Sequence, residues 1–272
     1  ELVKLRIEEA KQISDQYSPW ETLAQPFEPE LTLKWLNKIF QPLKDTLPEL
    51  IRGINNSKKY HWDLSPESQQ NLCSKLLDEL GRDKDLVVVG KSPHPFSITL
   101  GPNDYRITTR IVEGEPLSSF LATAHEWGHS IYEQGLPSQS HQWFAWPLGQ
   151  ATSMGIHESQ SLFWENRIVK SKSFSKRFFK KFVSAGCTLN NYFELWKSIN
   201  HLEAGLNRVE ADELTYGLHI LIRTELEIDL IEGGLPAEDI PEEWNKRYDE
   251  LLGIKPSNDS EGCLQDVHWS EG

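Results

Sequence analysis

Positive charge is scarce in this chain. Across 272 residues, 28 Lys and Arg face 41 Asp and Glu, which leaves a formal net charge of −13. A protein that binds a polyanion needs a basic face, so a nucleic-acid partner is not expected. The densest basic stretch, Lys170–Lys181 (KSKSFSKRFFKK), interleaves phenylalanines at helical spacing and reads as the solvated edge of an amphipathic helix. Long hydrophobic runs are missing as well. The strongest, Leu86-Val87-Val88-Val89, is only strand-sized, far below the ~20 apolar residues that cross a bilayer, so no membrane partner is expected. The first residues, ELVKLRIEEAK, contain neither an initiator Met nor a signal-peptide apolar core. The expectation is a chain that is neither secreted by its own signal nor anchored, and that need not begin where its gene does. Cysteine is sparse: Cys73, Cys187 and Cys263 form no CxxC pair, which excludes a zinc ribbon and a disulfide framework. Cys73 among Leu72, Leu76 and Leu77 reads as a small buried hydrophobe, and the compartment as reducing, hence cytoplasmic. No repeat, low-complexity tract or linker divides the chain, so a single domain over 1–272 is expected.

What is present is mostly helical periodicity. Val3, Ile7, Ala10, Ile13 and Tyr17 lay one apolar stripe from Leu2 to Tyr17. Further helices are predicted at about Leu31–Leu43, from Ser65-Pro66-Glu67 to Gly81, over Pro116–Gln134 closed by Gly135, and around His157–Lys170. The same signals predict helices over Phe178–Ile199, Arg208–Ile231 and Pro241–Leu252. Residues 85–110 break the pattern: β-branched and aromatic residues bounded by turn chemistry predict a small antiparallel β insert in an otherwise mainly α fold. Trp35, Trp164, Trp196 and Trp244 fall on helical stripes and are read as core. His61, His141, His201 and His219 have no ligand-like neighbours.

Chemistry concentrates in Ala124-His125-Glu126-Trp127-Gly128-His129. On a helix, residues four apart face the same way one turn apart, so His125 and His129 can share one metal ion. Glu126 lies beside that face, where its carboxylate can reach a water on the metal. This is the H-E-x-x-H arrangement of zinc peptidases: two imidazole ligands and one general base. A third ligand is needed, and Glu158 in Gly155-Ile156-His157-Glu158-Ser159-Gln160-Ser161 is the candidate. His157 competes with it, and spacing alone does not choose.

HEWGHSIYEQGLP followed by GIHESQSLFWE resembles the Taq-type family of metallocarboxypeptidases, whose pattern joins H-E-x-x-H to a downstream H-E-S-Q. Further blocks match in order: His94-Pro95-Phe96; Asp104-Tyr105-Arg106-Ile107-Thr108; Arg208-Val209-Glu210-Ala211-Asp212-Glu213; and Gln265-Asp266-Val267-His268-Trp269. The resemblance implies a helical metallopeptidase fold, His125, His129 and Glu158 as ligands of one divalent metal ion, and Glu126 as general base. The ion is read as zinc, with cobalt also suited to the donor set. Arg208 is implied to grip the substrate's terminal carboxylate, as a planar guanidinium can with two parallel hydrogen bonds. The alternative is a pair with Asp212 one turn along the same helix. His94, Arg106 and His268 are implied to contact substrate, with local alternatives: an Asp104–Arg106 pair, a His94 held before Pro95, and a surface His268 beside Trp269. The implied activity is removal of C-terminal residues from peptides with a free C-terminus. The alternatives are a metal-binding scaffold without peptidase activity and an endopeptidase. The resemblance also implies a homodimer. Family chains are longer at both ends and continue past the D-V-H-W-S segment, so the chain is expected to be a fragment of the family design.

Overall fold

The structure is a computed structural model that describes residues 1–54 and 59–265. Two compact units partition the chain: residues 58–200, and residues 1–57 together with 201–272. As expected, both are mainly helical.

In the first and last segments, α1 (Leu2–Ile13), α2 (Pro19–Ala24), α3 (Leu33–Gly53), α9 (Tyr216–Ile231) and α10 (Ile240–Leu252) build one unit. The apolar stripe predicted to reach Tyr17 stops at Ser14, because a new helix is nucleated just beyond it. Ser18 accepts the Glu21 amide and Glu21 accepts the Ser18 amide, a reciprocal cap written in the sequence as S-P-W-E. Helix α3 outruns its predicted end at Leu43: it runs on to Gly53 with Pro42 and Pro48 inside it, and Pro48 is buried. Leu218, Ile222 and Leu226 of α9 pack against Trp244, Tyr248 and Leu252 of α10. Trp244 is core, as read from its stripe, whereas Trp35 is 55% exposed and is not.

The other unit contains α4 (Pro66–Glu79), a three-stranded sheet, α5 (Ser118–Gln134), α6 (Met154–Leu162), α7 (Lys172–Ala185) and α8 (Tyr192–Ile199). Ser65 caps α4 by accepting the Ser68 amide. The helix predicted over Phe178–Ile199 is two helices. Gly186 adopts φ 111° and ends α7, and Asn191 accepts the Phe193 and Glu194 amides to start α8. Phe174, Phe178 and Phe182 bury one face of α7 against Phe120 of α5 and Leu72 and Leu76 of α4, while Arg177 and Lys181 on its outer side pair with Glu79. The basic stretch is thus a solvated helix edge, and all three cysteines are buried free thiols.

Strands β1 (Val87–Lys91), β2 (Ser97–Gly101) and β3 (Asp104–Thr109) lie in the order β1-β3-β2. The insert is therefore mixed. β2 and β3 form the antiparallel hairpin, turning at Asn103 in the left-handed conformation, but β1 pairs with β3 in parallel. The connection through Ser92–Phe96 carries the chain past the central position, which β3 fills, and the buried Tyr105 and Ile107 of β3 pack with Val87, Leu77 and the α5 residue Trp127. Strand alternation sends Arg106 to the opposite, exposed face.

Candidate metal centre and active site

Helix α5 carries His125 and His129 one turn apart, with ring centroids 5.0 Å from each other. What brings α6 onto this face is the residue between them. A Cβ added at Gly128 would stand 2.5 Å from Ser161 Cα and 2.6 Å from the Gln160 carbonyl oxygen, so the two helices meet backbone to backbone. Glu158, one turn before Ser161, is thereby laid over the histidine pair. Its Oε2 is 3.6 Å from His125 Nε2 and 3.3 Å from His129 Nε2. The Ser161 hydroxyl, 3.1 Å from that oxygen, helps hold it there.

The donor set can be tested for fit. Donors about 2.0–2.1 Å from a tetrahedral ion stand about 3.3–3.4 Å from one another. The two measured separations bracket that value, and one donor atom from each of His125, His129 and Glu158 lies within 4.8 Å of the others. Charge agrees. Burial disfavours protonation of His125, yet Glu165, Glu158 and Glu126 outweigh it and raise its pKa, the mark of a pocket short of positive charge. These residues fit a divalent cation.

Sequence reasoning missed the layer behind the donors. The segment Phe163–Val169 is a π-helix, closed in part by Lys170 N–H donating to the Glu165 carbonyl at 2.9 Å. Glu165 reaches back to His125 Nδ1 at 3.0 Å and pairs through its other oxygen with the buried Lys170 ammonium at 2.8 Å. Burial pushes the Glu165 carboxyl up, but the His125 hydrogen bond and Lys170 overcome it and hold the group below the usual range. A carboxylate accepting Nδ1–H leaves the Nε2 lone pair free. His157, the rival to Glu158, has both ring nitrogens engaged by protein: Nδ1 is 2.7 Å from His129 Nδ1 and Nε2 is 2.7 Å from Glu133 Oε1. Its position next to Glu158 was legible; its partner was not. Glu126 is 7% exposed, and burial, with the neighbouring Glu158 and Glu165 adding to it and His125 opposing it, pushes its carboxyl up to about 7.

The remaining predicted residues are spread over other elements. His94 is exposed in the Ser92–Phe96 connection, where its carbonyl accepts the Ser92 hydroxyl. Arg106 is exposed on β3 and makes the local pair read as its alternative, donating Nε–H to Asp104 Oδ1 at 2.9 Å and an Nη2 hydrogen to Oδ2 at 3.0 Å. His268 lies outside the described residues.

Arg208 belongs to the other compact unit. The long helix predicted over Arg208–Ile231 is corrected to a single 3-10 turn, Arg208–Glu210, followed by a break and then α9. Asp212 makes the break: its carboxylate accepts the Leu214, Thr215 and Glu203 amides instead of pairing with Arg208. Arg208 donates to the Tyr216 hydroxyl at 3.3 Å. Beneath it, His219 is fully buried with Nδ1 3.0 Å from the Tyr248 hydroxyl, which also accepts from Arg223. Burial, then Arg223 and Arg208, push the His219 pKa down to about 4. The folded chain thus keeps His219 neutral where the unfolded chain protonates it, and stability is lost as pH falls from about 6.5 toward 4. The two and a half units correspond to about 3 kcal/mol. His219→Gln is expected to remove this component, so urea unfolding of both proteins at pH 7 and pH 4.5 should give a smaller acid loss in the variant. Equal losses would refute the assignment.

Residues 1–272 match the family described as carboxypeptidase Taq (M32) metallopeptidase. The chain is 40% identical over 263 residues to thermostable carboxypeptidase 1 of Thermus thermophilus, covering 93% of this chain and 51% of that protein. It is 38% identical over 269 residues to carboxypeptidase 1 of Bacillus subtilis, covering 94% of this chain and 52% of that one. Its fold matches the solved structure of Trypanosoma cruzi metallocarboxypeptidase 1 with a TM-score of 0.89 at 34% identity, over 99% of this chain and 58% of the other. The chain spans about half the length of the curated relatives it matches.

Proposed function

Because the chain belongs to the carboxypeptidase Taq (M32) metallopeptidase family, we propose that it is the metal-centre portion of a metallocarboxypeptidase that removes residues from the free C-terminus of peptides. The observation that carries this reading is the convergence of His125, His129 and Glu158 donor atoms with the buried Glu126 carboxyl beside them. Family membership calls for a divalent metal ion. His125 Nε2, His129 Nε2 and one Glu158 oxygen would hold it, and zinc suits two imidazoles and a carboxylate, with cobalt as the alternative. When bound, such an ion polarises a carbonyl and acidifies water.

The chain's own residues do the rest. Glu126 takes a proton from the attacking water at its carboxylate oxygen and returns it to the departing amine, a role suited to a carboxyl held near neutrality. Arg208 engages the terminal carboxylate and sets which bond is cut. His94, Arg106 and His268 are assigned to substrate contact, the first two supported by their exposure on and beside the sheet. Both compact units are read as parts of one catalytic domain. Three buried free thiols support a reducing, cytoplasmic setting.

The test is to load the chain with zinc and offer a peptide with a free C-terminus beside its amidated twin. Stepwise shortening of only the free peptide is expected. Internal cuts would make the chain an endopeptidase, and inertness at one ion per chain would make it a scaffold. Arg208→Ala should lower hydrolysis of the free peptide about 10- to 100-fold, the worth of a charge-assisted hydrogen bond, with little effect on any residual cleavage of the amide.

A further inference from the structure

We propose that His157 and Glu133 form a positioning relay that fixes the His129 imidazole with its hydrogen on Nδ1 and its Nε2 lone pair turned to the cation. The inference rests on the metal-site reading above. It adds His157 and Glu133, two residues to which that reading gives no task.

The chemistry runs from the outside inward. A carboxylate accepts, so at 2.7 Å from Glu133 Oε1 the hydrogen of that contact sits on His157 Nε2. With its hydrogen on Nε2, the His157 imidazole presents its lone pair at Nδ1. The atom 2.7 Å away is His129 Nδ1, which must therefore carry its own hydrogen and donate it. His129 Nε2 is left as a bare donor, 3.3 Å from Glu158 Oε2. The opposite arrangement, with the hydrogen on His129 Nε2, closes that nitrogen to any cation. Tyr132 packs against the His157 ring edge to face with centroids 5.1 Å apart, which restrains the ring's tilt.

The two histidines of the motif are thus oriented by different devices. His125 meets a carboxylate directly, Glu165 at 3.0 Å. For His129 the carboxylate is Glu133, one turn along the same helix, and the imidazole of His157 bridges the two. Because His157 immediately precedes Glu158, the turn of α6 that delivers the third donor also delivers the group that orients the second. This explains why a histidine stands at that position although it is not itself used as a donor.

The test measures zinc dissociation constants by competition with a chromophoric chelator for the wild-type chain, Glu133→Gln, His157→Phe and the double variant. Cobalt-loaded visible spectra and metal-free melting temperatures are recorded in parallel. Each single substitution should weaken zinc binding about 10- to 100-fold, the usual effect of losing a partner behind a metal ligand. The double variant should be no weaker than His157→Phe, because Glu133 acts through that ring. The cobalt bands should keep their positions, and the metal-free proteins should melt close to wild type. Wild-type affinity in both single variants overturns the relay, as do fully additive losses. Cobalt bands that shift in His157→Phe as they would on loss of a nitrogen donor also overturn it, by making His157 a ligand. A wild-type chain that takes up no zinc overturns the metal-site reading and the relay together, whereas failure of the variants alone overturns only the relay.

Discussion

Replacing Glu126 by glutamine is expected to leave one divalent ion bound per chain while lowering peptide hydrolysis by about 10²- to 10⁴-fold, the range a positioned general base supplies. Glutamine keeps the size and the hydrogen-bonding edge of the side chain but has no site that accepts a proton at neutral pH. Glu126 is not among the converging donors, so its loss leaves the ligand set intact. It also leaves the ion-holding charge of Glu158 and Glu165 in place. Metal content by elemental analysis and turnover on a free-carboxylate peptide check both halves. Near-normal turnover would remove Glu126 from its role, and loss of the ion with turnover would make it a ligand.

Gly128→Ala is expected to act on the site without touching any donor. The new methyl would meet Ser161 Cα at 2.5 Å and the Ser161 amide nitrogen at 2.9 Å, both backbone atoms that have no rotamer to change. Relief needs α6 to retreat by about 1 Å, since carbon atoms rest about 3.5–4.0 Å apart. Glu158 rides on α6 and would leave its place over His125 and His129. Overpacking of this kind costs about 1–3 kcal/mol, and zinc affinity should fall about 100-fold or more. Urea unfolding of the metal-free protein and chelator competition separate the two effects. A variant that is destabilised yet binds zinc as tightly as wild type would show that the helix contact does not set the position of Glu158.

The parts of this site that were legible from sequence share one property: they are neighbours along a single element. His125 and His129 are related by one helical turn, and Ser65 and Gly135 mark helix ends through local chemistry. The caps at Ser18–Glu21 and Asn191–Glu194 are equally local. Glu165, Glu133 and Gly128 are different. Glu165 meets His125 across 40 residues, and Glu133 meets His157 across 24, so no spacing rule on one helix reveals them. Gly128 shows its purpose only once the backbone of α6 is beside it. The Arg208–Asp212 pair does not form because the four-residue step between them is not a helical turn: an aspartate just ahead of a helix competes for backbone amides and breaks the element there. The third donor is a mixed case: spacing left His157 and Glu158 open, the family pattern favoured Glu158, and the folded contacts give each of the two a distinct set of partners.

The π-helix over Phe163–Val169 makes this centre sensitive to residue number as well as residue identity. Glu158 and Glu165 sit on consecutive helical segments, and both must face α5. Removing one residue between them would turn Glu165 by about 100° around the helix axis while leaving Glu158 where it is. The wide turn also commits Lys170, whose amide closes it and whose ammonium holds Glu165. Length variation in this stretch would therefore be filtered far more severely than exchange of one apolar side chain for another, and a homologue with one residue fewer here would have to orient its first histidine by some other group.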